Sequence, residues 1–294
     1  MANKDTVLAI VSDMQVGSTL ALCPPKWNLL DGGTFHASPA QMIIYRQWIR
    51  SAQVLKDILT EGRGRKRLVL ILNGEPVDGH HHDTPQLITK RPQEQIEMSI
   101  SLLDEFLQIV DYHPKKGDMI YLVRGTDAHE KGEYIEQIGR DIIGVRAKRK
   151  DTSNLIKDGL YHYQKLRLSI NDNLIHVTHK GFNRGTRAWT TANSIGYALK
   201  SIYFNNLNHG VPIPNYVIRS HNHVYTHASY EDRHAKMWGC ITPCWQLKTY
   251  FGNHVAGNED INTIGNIYID INGTGTSKVI PEILEIEDEP IITL

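Results

Sequence analysis

The chain alternates short apolar runs with longer stretches in which apolar residues recur every three or four positions. Thr6-Val-Leu-Ala-Ile-Val11, Leu68-Val-Leu-Ile-Leu72 and Met119-Ile-Tyr-Leu-Val123 are too short for helices and predict buried strands. Between the first two, Ser38-Pro39 gives a helix start with proline at the first position. Ile44, Trp48, Ala52, Leu55 and Leu59 then form one face. Pro92 opens a second helical stretch with Ile96, Ile100, Leu103, Leu107 and Val110 on one side, and Ile135, Ile138 and Ile142 mark a third. Strand and helix in strict alternation imply a mostly parallel sheet covered by helices.

The pattern then changes. Tyr161 to Ile170 is partly alternating, and Asn171-Asp-Asn173 reads as a hairpin turn into Leu174-Ile-His-Val-Thr178. Residues 186–207 predict a helix with Trp189, Ile195, Leu199 and Tyr203 on its apolar face. Tyr216-Val-Ile-Arg-Ser220 is another short run, and residues 263–271 and 279–286 predict further strands. With no repeat or linker in sight, the expectation is one domain over 1–294. A helical insertion is expected near 183–210 and a β-rich C-terminal part over 216–294.

Charge changes the picture only by exclusion. Lys+Arg and Asp+Glu balance at 32 each, which argues against a globally basic nucleic-acid binder. The local clusters Arg63-Gly-Arg-Lys-Arg67 and Arg146-Ala-Lys-Arg-Lys150 read as solvated loops. Three cysteines, Cys23, Cys240 and Cys244, are too few and too odd in number for a disulfide scaffold. No apolar run approaches the ~18 residues of a membrane span, so the expectation is a soluble cytoplasmic protein with no membrane contact.

The chemistry collects where the strands stop. The runs discharge into Asp13 and Gln15, Glu75 and Asp78, Asp127 and His129, His179, and finally His221 and His223. If the last run continues as a strand, His221 and His223 point the same way. In open α/β sheets, ligands gather beyond the carboxyl ends of the strands. Mixed oxygen and nitrogen donors suit Mn²⁺, Fe²⁺ or Zn²⁺ better than Ca²⁺. Nine such groups are too many for one ion, whereas two ions sharing a carboxylate would account for them. Each group also has a plainer reading: Asp13 or Glu75 alone is a cap, His176 a core histidine, and His80 to His82 a polar loop.

The order of these motifs resembles that of the calcineurin-like metallophosphoesterases, D-x-(H), G-D-x-x-D, G-N-H-(D/E), H-G and G-H-x-H, over roughly residues 6–225. The chain is similar to divergent members encoded by phages and prophages. The resemblance implies an α/β fold, specifically a four-layer αββα sandwich. It also implies hydrolysis of a phosphate ester by in-line attack of a hydroxide bridging two metals. A phosphodiester, nucleic acid or nucleotide, is the first expectation. A phosphomonoesterase and a catalytically degenerate scaffold are the alternatives.

Carried over by position, the resemblance gives Asp13, Gln15 and His223 to one cation and His179 and His221 to the other, with Glu75 bridging. Asp127 takes an asparagine's ligand role, His129 protonates the leaving group and Asp78 orients a histidine. Lys180, Arg184 and His81 would meet the substrate. The expected cofactor is two divalent ions, Mn²⁺ first, with Fe, Zn, Ni or Mg as other candidates. The chain departs from the pattern in three places. Gln15 stands for a histidine, Glu75 for a shorter aspartate, and Gly125-Thr-Asp-Ala-His129 holds two extra residues.

Overall fold

The computed structural model describes residues 3–81, 84–130, 133–142, 144–147, 160–182, 190–249 and 262–284. Its elements follow in chain order. The first half holds β1 (Thr6–Val11), β2 (Lys26–Asn28), β3 (Thr34–His36), α1 (Pro39–Thr60), β4 (Arg67–Asn73), α2 (Pro92–Ile109), β5 (Met119–Val123), α3 (Asp127–Glu130) and α4 (Glu133–Asp141). The second holds β6 (His162–Tyr163), β7 (Leu166–Ile170), β8 (Asn173–Val177), α5 (Thr191–Asn208), β9 (Tyr216–Arg219), β10 (Thr226–Asp232), β11 (Ala235–Ile241), β12 (Gly265–Ile271) and β13 (Ser277–Ile283).

Two sheets stack face to face. The first runs β13-β12-β1-β4-β5-β6, with β1, β4, β5 and β6 parallel and β12 antiparallel to β1. The second runs β10-β11-β9-β8-β7, with β8, β9 and β11 parallel and antiparallel strands at both edges. β1 shows why its run is apolar throughout. Val7, Ala9 and Val11 point to one core, Leu8 and Ile10 to the other, and all are buried.

Three apolar layers separate four structural ones. The first lies between α1, α2 and α4 and the outer face of the first sheet, the second between the sheets, and the third between the second sheet and α5. This is the αββα sandwich expected from the sequence. Ser38 and Gln41 close a reciprocal capping box at the start of α1. Trp48 then anchors the first layer. Its ring centroid lies 4.6 Å from that of Phe106 and 4.9 Å from that of Trp245, and its Nε1 donates to the Leu102 carbonyl at 3.2 Å.

The differences from expectation lie mainly in the second half. The single stretch expected over 161–170 divides: β6 extends the first sheet, whereas β7 opens the second. Asn171 and Asp172 make the β7–β8 turn with φ of 45° and 65°, as a tight hairpin demands. The described part of the expected insertion is α5, whose Ile195, Leu199 and Tyr203 cover Val217, Met237 and Ile241, so the helix is itself the fourth layer. The hairpins β2–β3 and β10–β11 did not figure among the expected strands. Among the described residues no helix is long and apolar enough to cross a membrane.

Trp48→Ala should lower unfolding free energy by about 3–5 kcal/mol, because a fully buried indole leaves a cavity between two helices and Trp245. Urea unfolding followed by circular dichroism measures it.

Candidate metal centre

The parallel strands β1, β4 and β5 of one sheet and β8 and β9 of the other end at a shared rim, and their trailing loops carry the polar groups. The backbone there is unusual. Asp13, Gln15, Glu75, His221 and His223 have φ between 50° and 76°; they are five of the eight non-glycine residues with positive φ among the described residues. Such conformations cost on the order of 1–3 kcal/mol each and persist where surrounding structure over-determines them. Here backbone bonds between loops do so: Asp13 N–H to Gly74 O at 3.1 Å, Gln15 N–H to Glu75 O at 3.0 Å, Trp245 N–H to Asp13 O at 2.9 Å and Thr263 N–H to His223 O at 2.9 Å. Gly74, at φ 81°, is required: a Cβ there would lie 2.3 Å from His179 Nδ1.

A buried polar seam ties the two sheets together beneath these loops. Ser12 and Thr242 share a hydroxyl bond of 2.6 Å, Thr242 Oγ1 donates to Ser220 Oγ at 2.8 Å, and Asn73 Nδ2 donates to the same Ser220 oxygen at 2.5 Å. The Asn73 carbonyl accepts from His179 Nδ1 at 2.8 Å. That bond commits the Nδ1 proton and turns Nε2 toward the centre.

Glu75, fully buried, is where the side chains converge. His179 Nε2 lies 3.1 Å and His221 Nδ1 3.6 Å from Glu75 Oε1, while His223 Nε2 lies 3.3 Å from Asp13 Oδ1. Two ligand groups result, Glu75 with His179 and His221, and Asp13 with Glu75 and His223, and Glu75 belongs to both. His221 and His223 therefore divide between the groups. β9 stops at Arg219, so left-handed turns rather than strand periodicity aim them. Gln15 Nε2 donates to Glu75 Oε2 at 2.6 Å, which turns its own Oε1 away from that carboxylate.

The donors fit divalent cations. Asp13 Oδ1, Gln15 Oε1, His179 Nε2 and His221 Nδ1 are buried with no well-directed hydrogen bond among the described residues. Buried ionisable groups normally find partners or coordinate metals. The electrostatics agree. Burial acts to raise the Glu75 carboxyl, yet the His179 and His129 imidazoles outweigh it and hold it well below the usual range. Burial acts to lower His179, but Glu75 and Asp13 carry it up to about 9. His223 is raised well above its ordinary value, by Cys244 and Asp13 against burial. His129 goes the other way. Burial lowers it, with His81 adding to the effect and Glu75 opposing it.

The remaining expected residues fall into three sets. His129 and Asp78 stand beside the centre: His129 Nδ1 donates to the Asp78 carbonyl at 2.6 Å, and its Nε2 faces Glu75 Oε2 at 3.8 Å. His81 packs against His129 with ring centroids 4.0 Å apart, and Lys180 is exposed next to His179 in the chain. Arg184 lies outside the described residues. Asp127 stands apart from the centre. As the first residue of α3 its side chain is 81% exposed and paired with Arg124, and it joins neither ligand group. The preceding residue meets the centre by a hydrogen bond: Thr126 Oγ1 donates to Glu75 Oε1 at 2.7 Å.

Sequence reasoning also missed Gln246, whose Nε2 donates to Asp78 Oδ1 at 3.3 Å from a loop 168 residues away. No local signal could have found it. Thr126 was within reach, since it occupies the position directly after Gly125 in the motif.

No family model matches the chain, and no curated protein does. Among solved structures, it is similar to Vps29 of Entamoeba histolytica complexed with zinc, at 10% identity over 94% of this chain and 98% of that one, TM-score 0.37. It is also similar to a conserved uncharacterised protein of Streptococcus pneumoniae described as a predicted phosphoesterase, at 10% identity over 96% and 99%, TM-score 0.32. A third is the sulfate thiohydrolase SoxB of Thermus thermophilus, at 11% identity over 96% of this chain and 58% of that one, TM-score 0.36.

A cation must displace the His179 proton before that nitrogen can ligate. Mn²⁺ affinity should therefore rise with pH, and the part due to this proton, up to about tenfold per unit, should level off above about 9. The sign for stability is opposite. A histidine raised from 6.5 to about 9 on folding stabilises the cation-free protein fully below 6.5, and the contribution is lost as pH rises through 9. Calorimetric titration and thermal melts from pH 6 to 10 check both, and His179→Gln should make each profile shallower.

Proposed function

We propose that this protein is a metal-dependent phosphoesterase of the calcineurin-like class, acting on a phosphodiester in nucleic acid or a nucleotide, with Mn²⁺ as its first candidate cofactor. The observation that carries the reading is the membership of Glu75 in two ligand groups at once. Asp13, Gln15 and His223 would hold one cation, His179 and His221 the other, with Glu75 between them. Bound there, such a pair supplies charge neutralisation of the phosphoryl oxygens and a water acidic enough to attack at neutral pH.

The protein's own groups do the rest. Gln15 and Thr126 each hold one oxygen of Glu75, at 2.6 and 2.7 Å, and so fix the plane of the shared carboxylate. Asn73 holds His179 from behind. His129 has its Nδ1 proton committed to the Asp78 carbonyl, so a second proton, when the ring takes one up, goes to Nε2 at the edge of the centre. From there it can pass to a leaving oxygen, a role worth about 10²–10⁴ in rate. Asp78 positions that ring. Lys180 adds one exposed positive charge next to His179, matched to the single charge of a diester more closely than to the dianion of a monoester.

His129→Ala should cut turnover about 10²–10⁴-fold on a dinucleotide, much less on bis-p-nitrophenyl phosphate, whose leaving group needs no proton. Its Mn²⁺ content should match the unaltered protein's. Full activity of the variant on the dinucleotide would remove His129 from the proposed role, and preference for p-nitrophenyl phosphate over the diester would reverse the substrate class. Because burial lowers the His129 pKa below 6.5, its protonated form is populated on the acid side. The difference in log rate between the two substrates should therefore widen as pH rises through the His129 pKa, as a pH–rate series would show.

A further inference from the structure

We infer that Asp78, His81 and His129 form a third cation site, suited to Zn²⁺, whose filling shuts down the neighbouring centre by capturing the ring that delivers the proton. One ligand atom from each of the three lies within 4.8 Å of the others, and none of these residues belongs to the two groups that share Glu75. His81 Nε2 is 3.5 Å and His129 Nδ1 3.9 Å from the same oxygen, Asp78 Oδ1. The two rings meet edge to face at 61° with centroids 4.0 Å apart. Donors bonded to one zinc at about 2.0–2.1 Å sit a little over 3 Å from each other, so small side-chain rotations bring this trio into a tetrahedral set.

The chemistry of the set is specific. Two imidazoles and one carboxylate leave a fourth position for water, and the order of divalent affinities for nitrogen donors places Zn²⁺ above Mn²⁺. Asp78 is anchored for the task, its N–H bonded to the Val16 carbonyl at 2.9 Å and its Oδ1 accepting from Gln246 Nε2 at 3.3 Å. Its side chain is 4% exposed while those of His81 and His129 are 15% and 14% exposed, which gives an ion a way in from solvent.

The consequence rests on the function proposed above. His129 Nδ1 now donates to the Asp78 carbonyl at 2.6 Å. A cation on Nδ1 takes that lone pair, and the one remaining ring proton moves to Nε2, 3.8 Å from Glu75 Oε2. With both nitrogens engaged the ring can accept no second proton, so the imidazolium that would protonate a leaving oxygen no longer forms.

The test uses the full chain loaded with Mn²⁺ and titrated with ZnCl₂, with total bound metal counted by equilibrium dialysis and dinucleotide hydrolysis followed in parallel. The expected result is a third equivalent of metal, with turnover falling at least tenfold as it binds. His81→Asn and His81→Ala, each normalised to its own zinc-free rate, should raise the half-inhibitory Zn²⁺ concentration at least tenfold and bind two equivalents at the concentration that gives the unaltered protein three. Saturation at two equivalents would overturn the site, as would an unchanged half-inhibitory concentration in both variants. Three equivalents without inhibition would overturn the shutdown. Failure of the two-cation reading shows separately, as fewer than two equivalents of Mn²⁺ before any zinc is added.

Discussion

A carboxylate that has lost all its water must be answered by something else, and Glu75 is that carboxylate. Removing such a charge from solvent costs several kcal/mol even after the protein relaxes. This chain answers with imidazoles, an amide and a hydroxyl, all within 4 Å of the two Glu75 oxygens. In the cation-free protein the compensation is protonic. His179 and His223 hold their protons more tightly than free histidine does, because Glu75, Asp13 and Cys244 sit beside them. Divalent ions would exchange with those protons, and so the same set of groups serves both states.

The arrangement depends on having two sheets rather than one. Asp13, Glu75 and His129 follow strands of the first sheet, and His179, His221 and His223 follow strands of the second. A single sheet would spread them along a line. Two stacked sheets, sharing a rim and laced by Ser12, Thr242, Ser220 and Asn73, fold that line into a cluster. The backbone is strained where the ligand groups leave the strands, and the seam beneath them gives that strain something rigid to act against.

What could be read from the sequence follows from this. Strands buried on both faces and helices buried on one leave strong periodic marks, so β1, β4, β5, α1 and α2 were legible, as were the polar residues at the strand ends. The β10–β11 hairpin was not. β10 is an edge strand whose Thr226–Asp232 run is nowhere fully buried, so it carries no apolar run. The division of β6 from β7 turns on pairing partners that no local pattern encodes. Asp127 misled because an acidic side chain looks like a ligand, whereas its place at the head of a short helix turns it to solvent and to Arg124. Thr126 reads as an ordinary hydroxyl until a buried carboxylate is found within reach of it.

The central claim is that Glu75 stands between two cations. Anomalous scattering from crystals soaked in Mn²⁺ tests it directly. The account predicts two peaks about 3.5–4 Å apart, one beside Asp13, Gln15 and His223, the other beside His179 and His221, with a Glu75 oxygen on each. A single peak, or two peaks that leave Glu75 uncoordinated, would contradict it.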